Sequence, residues 1–162
     1  SAGISKENRE LLEHALIAKE GEAIYYLNGA PETFMNGDEL IAARTGSYGK
    51  LLLPLSETLK ALGADSVSMS GGKDLVIKYD GETIRIMAGT GIVRRGFRIT
   101  RLNSPVILYL NRAMAGGEFY QNITGRTFIE NNGMIIILPE GKCPDKETSR
   151  RLLDASARLF KS

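Results

Sequence analysis

The stretch Leu51-Leu52-Leu53-Pro54-Leu55-Ser56-Glu57-Thr58-Leu59-Lys60-Ala61-Leu62-Gly63-Ala64 joins an apolar strand to a short helix with no linker between them. Pro54 suits the first helical position, because its ring fixes a helical φ and the N–H it lacks would have no partner there. Leu55, Leu59 and Leu62 recur at i, i+4 and i+7, which puts them on one face of a helix. Gly63 falls where a helix commonly ends in a left-handed residue. Short strands and tight turns on either side would wrap this helix.

Downstream, Ser66 to Met69 reads as a strand, Gly71-Gly72-Lys73 as a turn, and Asp74 to Met87 as a hairpin closed by Asp80-Gly81. Thr83, Arg85 and Met87 alternate with Ile84 and Ile86, so one face of that hairpin is buried. Gly96 turns Ile92-Val93-Arg94 into Phe97-Arg98-Ile99. Val106 to Leu110 is an apolar run, and Asn111 to Ala115 is expected to form a short helix. Asn132-Gly133 closes a second hairpin between Arg126–Glu130 and Met134–Leu138. Met134 to Leu138 is apolar on both faces and should be a central strand.

Upstream, residues 5 to 20 read as an amphipathic helix capped by Ser5 and ended by Gly21. Ala23 to Leu27 is strand-like, Asn28-Gly29 is a hairpin turn, and Pro31 confines its next few neighbours to an edge or an irregular strand. Asn36-Gly37 is a further turn, Leu40 to Thr45 a further strand, and residues 46–49 a loop. At the far end, residues 139–144 form a linker and Asp145 caps a last helix running to about Lys161. Leu152, Leu153, Ser156, Leu159 and Phe160 make its apolar stripe. The two terminal helices, each with one apolar face, should pack on each other or on the open face of the sheet.

Strand, Pro, Leu, short helix, Leu-Gly-Ala and a Gly-closed hairpin together resemble the copper amine oxidase N-terminal-like, or stalk, domain. The residues that carry the resemblance are Leu52-Leu53-Pro54-Leu55, Ala61-Leu62-Gly63-Ala64 and the hairpin from Asp74 to Met87; the firm part spans residues 50–99. The resemblance implies an antiparallel sheet around a helix, a secreted or wall-anchored setting in Gram-positive bacteria, and no enzymatic activity or copper in the module itself. A second copy of the motif is expected near Asn103 to Leu110. There Tyr109 stands where Pro is expected, and Ala115-Gly116-Gly117 replaces Leu-Gly-Ala.

The expected fold is therefore α+β: antiparallel sheets and hairpins around a short central helix, with additional N- and C-terminal helices. Residues 1–22 would form the N-terminal helix, 23–138 the stalk-like domain, and 139–162 the linker and last helix. At 162 residues the chain is long enough for a core without disulfides or metal. Its 18 glycines exceed the usual ~7% and fit many tight turns. A net charge of +2 gives no bulk argument for nucleic acid or a membrane surface, and no apolar run is long enough for a span. Ser1-Ala2-Gly3 reads as a trimmed start from which an export signal was removed.

Chemistry-bearing residues are few. His14 and Cys143 are the only residues of their kinds; one lies among helical glutamates and the other in a linker, so neither a nucleophilic pair nor a metal site is expected. Residues 46–51 and Gly89-Thr90-Gly91 lack the spacing and the following helix that a phosphate or dinucleotide loop needs. Arg94, Arg95, Arg98 and Arg101 form the densest basic cluster, with Arg94 and Arg98 expected on one face. A solvated face is their ordinary role, and an anionic cell-wall polymer their candidate ligand. Tyr25, Tyr26, Tyr109, Phe119 and Tyr120 are ordinarily core or cross-strand residues, and would otherwise line a sugar-binding strip. Scattered carboxylates such as Asp38, Glu39, Asp65 and Asp74 are those a hydrolase fragment, the third reading, would use. The expectation is a non-enzymatic spacer or binding module at a bacterial surface, without cofactor. Its partner would be a wall polysaccharide, peptidoglycan or another surface protein, not nucleic acid.

Overall fold

A computed structural model describes residues 4–161. The chain opens with α1 (Lys6–Glu13), followed by β1 (Leu16–Lys19), β2 (Ile24–Leu27) and β3 (Ala30–Thr33). Two short pieces, β4 (Met35–Asn36) and β5 (Glu39–Leu40), lead to β6 (Arg44–Thr45), β7 (Leu51–Pro54) and α2 (Leu55–Ala61). A meander of β8 (Ser66–Ser70), β9 (Asp74–Tyr79), β10 (Glu82–Met87), β11 (Ile92–Arg95) and β12 (Arg98–Arg101) comes next. Then come β13 (Ile107–Tyr109), β14 (Arg112–Ala115), α3 (Gly117–Thr124), β15 (Phe128–Asn131), β16 (Met134–Ile137) and α4 (Lys146–Ala157). The fold is α+β, and every strand pairing is antiparallel. No described helix is long and apolar enough to cross a membrane.

Two five-stranded sheets, ordered β15-β16-β1-β2-β3 and β12-β11-β10-β9-β8, and a four-stranded sheet, β13-β14-β7-β6, share one main core. Its centre is α2, whose Leu55 and Leu59 are wholly buried, with Leu62 just beyond the helix end also in the core. The helix closes as a Schellman motif: Ala64 N–H donates to Leu59 O at 2.9 Å, Gly63 N–H donates to Lys60 O at 3.1 Å, and Gly63 takes φ 106°. Pro54 lies one residue earlier than expected. With φ −57° and ψ 121° it ends β7 rather than starting the helix, and it pairs with Met114.

The expected helix over residues 5–20 is corrected: it stops at Glu13, and the exposed His14 caps it. Ala15 to Ala18 are buried without interruption. A helix with one apolar face would leave part of that run in water, whereas a strand with both faces covered buries all of it. Leu16 and Ala18 point into the main core, while Ala15 and Ile17 face a second core. The strand β1 lies between β16 and β2, so the first 22 residues are not an appendage to the rest. The terminal helices cover this sheet's outer face: Leu152, with Leu11, Leu12, Leu153 and Phe160, packs on Ile17, Ile136 and Leu138. As the all-apolar run implied, β16 is fully buried.

The expected helix at Asn111–Ala115 is a strand instead. Leu110 and Asn111 take φ 51° and 65° and form a tight turn from β13 into β14. The helix begins at Gly117, directly after β14. A strand–helix–hairpin unit thus occurs twice, as β7-α2-β8-β9 and as β14-α3-β15-β16. The two strands pair through Met114↔Pro54 and Ala115↔Leu53. The second unit begins at Arg112, later than the 103–110 placement. Its glycines hid it: a Cβ on Gly117 would stand 2.5 Å from the Phe128 ring, so close packing excludes the alanine that would have signalled a helix.

Candidate functional site: a basic sheet face

Alternation along β8–β12 sorts its side chains onto two faces. Leu75, Ile77, Ile84, Ile86 and Val93 point into the core and are buried. The intervening residues face outward, and register sets their neighbours. Arg85 stands opposite both Val76 and Arg94, and Lys78 is opposite Thr83. Arg94 is opposite Ile99, and Ile92 is opposite Arg101. Lys78, Arg85, Arg94 and Arg101 therefore share one face. Asp74, opposite Met87, is the one carboxylate on its strand positions. Among the described residues none of the four cations forms an ion pair.

Between the cations the floor is apolar. Val76, Met87 and Ile92, with Arg85, Arg94, Thr90, Asp74 and Ser70, line a shallow groove of about 520 Å³. Guanidinium groups beside an apolar floor suit a ligand that carries carboxylate or phosphate on a partly apolar frame. No aromatic residue occupies the outward strand positions of β8–β12, so the stacking platform used for single-stranded nucleic acid is not built here.

The four predicted arginines divide. Arg94 and Arg101 lie on the outer face. Arg95 is opposite Arg98, and both point to the other side, which corrects the expected pairing of Arg94 with Arg98. In an antiparallel hairpin, residues one step out of register fall on opposite faces. Arg95 is a clamp: Nη1 pairs with Glu82 Oε1 at 2.7 Å, and Nη2 donates to Asn122 O at 2.6 Å and Ile123 O at 3.1 Å, carbonyls in the last turn of α3. Lys78 and Arg85 were missed as site residues, although the alternation of Thr83, Arg85 and Met87 already placed Arg85 on the solvent side.

The two predicted tyrosines do not form a strip. Tyr25 is buried and stacks on Phe34 with ring centroids 4.2 Å apart. Desolvation, with Glu32 and Glu57 adding to it, pushes its phenol up. Tyr26 projects to the opposite face, meets Phe160 edge-on at 5.3 Å and donates to Leu159 O at 2.9 Å. Phe119 and Tyr120 are core residues. Tyr109 is partly exposed, with the Arg44 guanidinium 3.5 Å from its ring centroid.

A second cleft, of about 300 Å³, lies at the start of α3 and includes Glu118 and Glu130. Both carboxylates already hold protein groups: Glu118 accepts from Asn103 N and Nδ2, each at 2.9 Å, and Glu130 accepts from Leu51 N at 2.8 Å. Cys143 is free and exposed. Among the described residues no cluster of three or more His, Cys, Asp or Glu residues is placed to hold a metal. Glu39 pairs with Arg112 at 2.5 Å, and Asp74 is the only carboxylate lining the basic groove. Compared with known proteins, the chain matches no family model, no curated protein and no solved structure.

Proposed function

We propose that this chain is a non-enzymatic, extracytoplasmic module of a bacterial surface, a stiff spacer that also holds an anionic wall polymer on the outer face of β8–β12. The observation that carries the reading is the register that sets Arg85 against Arg94 and places Lys78 and Arg101 on the same uncovered face. Like charges directly opposite in a sheet repel. A bound polyanion relieves that repulsion, and guanidinium forks take carboxylate or phosphate oxygens in pairs. The apolar floor of Val76, Met87 and Ile92 offers contact to the C–H face of a sugar ring. The stalk-domain resemblance of residues 50–99 supports the extracytoplasmic setting. The doubled strand–helix–hairpin unit, locked through β7 and β14, supports the spacer role.

The test is co-sedimentation with purified Gram-positive cell walls, intact and stripped of their anionic polymer. Retention is expected on intact walls at low salt, falling as salt rises and lost in Arg85→Glu/Arg94→Glu. Equal retention on stripped walls, or none at low salt, would overturn the proposal.

A further inference from the structure

The other feature of this meander that lacks a partner is its edge. Of the outer strands of the two five-stranded sheets, three carry the devices that discourage pairing with another chain. Two arginines lie on β12, Pro31 and Glu32 on β3, and α4 packs along β15. The remaining edge, β8, is Ser66-Val67-Ser68-Met69-Ser70, with no charge and no proline.

The hydrogen-bonding direction of each residue on β8 follows from the neighbouring turn. Asp80-Gly81 is a two-residue turn with both φ positive, so Tyr79 and Glu82 close it as a hydrogen-bonded pair. Alternation makes Ile77↔Ile84 and Leu75↔Ile86 the bonded pairs of β9 with β10. Asp74, Val76 and Lys78 therefore bond the other way, to Ser70, Ser68 and Ser66. The N–H and C=O groups of Val67 and Met69 are left pointing off the edge of the sheet.

We propose that β8 pairs antiparallel with β8 of a second copy of this chain, about a two-fold axis at Ser68. In that register Val67 meets the other copy's Met69, and the reciprocal pair forms on the far side of the axis. These are hydrogen-bonded pairs, so all four free backbone groups of each copy are satisfied. Ser68 faces Ser68, and Ser66 faces Ser70. The edge is thus complementary to itself in backbone polarity, in side-chain type and in its lack of charge, and the contact closes on itself rather than extending into a fibre. A two-fold perpendicular to the sheet keeps the outer faces on one side, so the two basic faces become one continuous surface. The pairing is small beside the roughly 1,200–2,000 Å² of a standard stable interface, so association is weak and concentration-dependent. A multivalent polymer held across both faces would strengthen it.

The test needs no polymer, so its failure is distinguishable from failure of the polymer reading. In a Cys143→Ser background, Ser68→Cys is expected to form a disulfide-linked dimer under mild oxidation many-fold faster than Ser66→Cys or the exposed control Ser47→Cys. The two sulfurs would meet in a non-hydrogen-bonded pair, whose Cα spacing suits a disulfide. In sedimentation velocity at increasing concentration, the unmodified chain is expected to shift from monomer to dimer. Ser68→Lys, which places a charge at the axis on an exposed position, is expected to remain monomeric with unchanged thermal unfolding. Cross-linking of Ser68→Cys no faster than Ser47→Cys, a dimer that survives Ser68→Lys, or assemblies larger than a dimer would each overturn the proposal.

Discussion

Arg85 and Arg94 stand directly opposite each other on β10 and β11, and neither has a carboxylate partner among the described residues. A cross-strand pair of like charges costs stability, of the order of 0.2–1 kcal/mol. A bound polyanion would offset that cost, which is why the proposed ligand face is centred on this pair.

Arg94→Glu converts that repulsion into attraction. Thermal unfolding at low ionic strength is expected to move to higher temperature, with a gain of about 1 kcal/mol or less. The gain should shrink as salt screens the exposed pair. A destabilised Arg94→Glu at low salt would mean that the two side chains do not meet across the strands.

Arg95 and Arg94, adjacent in sequence, are expected to give opposite phenotypes. Arg95→Ala removes two bonds to α3 carbonyls and the pair with Glu82. It should cost about 2 kcal/mol, in the range of charge-assisted bonds, while polymer retention persists. Arg94→Ala should abolish much of the retention and leave stability within about 0.5 kcal/mol of the parent. Urea unfolding and wall co-sedimentation on both variants read the two effects separately.

Tyr120 ties the two strand–helix units together: its buried hydroxyl donates to Leu53 O at 2.8 Å. Tyr120→Phe removes that bond, leaving Leu53 O its ladder partner on β14, and should cost about 0.5–1.5 kcal/mol in urea unfolding. Burial raises this phenol far above its ordinary range, with the Thr58 hydroxyl opposing in part; Tyr25 is raised too. In alkali the unfolded chain therefore loses these protons before the native one does. Stability should be flat up to about pH 10 and then fall, by about 1.4 kcal/mol per pH unit for Tyr120, with Tyr25 acting in the same direction. Tyr120→Phe should remove its share of that fall.

Gly117→Ala reverses the usual sign of a helical Gly→Ala change, which ordinarily stabilises by up to about 1 kcal/mol. Here the added Cβ would sit 2.5 Å from the Phe128 ring. The overpacking should destabilise by about 1–3 kcal/mol, measured by denaturant unfolding. A stabilised variant would show that β15 yields to the methyl group at little cost.

What was legible in the chain was punctuation and alternation. Asn28-Gly29, Asp80-Gly81 and Asn132-Gly133 all adopt the positive φ values that tight hairpins require. The 51–64 stretch folds as strand then helix, and Asp145 caps α4 by accepting from Thr148 N. Leu16-Ile17-Ala18 was misread because a short apolar run fits a buried helix and a buried strand equally well; only the partners β16 and β2, distant in sequence, decide between them. The helix α3 was hidden because Gly117, a poor helix former by propensity, is required at its first position by packing against Phe128. At the basic face, residue type was legible but register was not. The cluster Arg94 to Arg101 splits across two faces, and the partners that complete the outer face, Lys78 and Arg85, come from the preceding hairpin.

Amide shifts of the isotopically labelled chain, followed during titration with a purified anionic wall polymer at low salt, locate the ligand without altering any residue. Perturbations are expected at Ser70, Lys78, Arg85, Arg94 and Arg101, reversed by added salt, with the face covered by α1 and α4 unchanged. Shifts confined to that helical face, or none at low salt with polymer in excess, would contradict the assignment of β8–β12 as the binding surface.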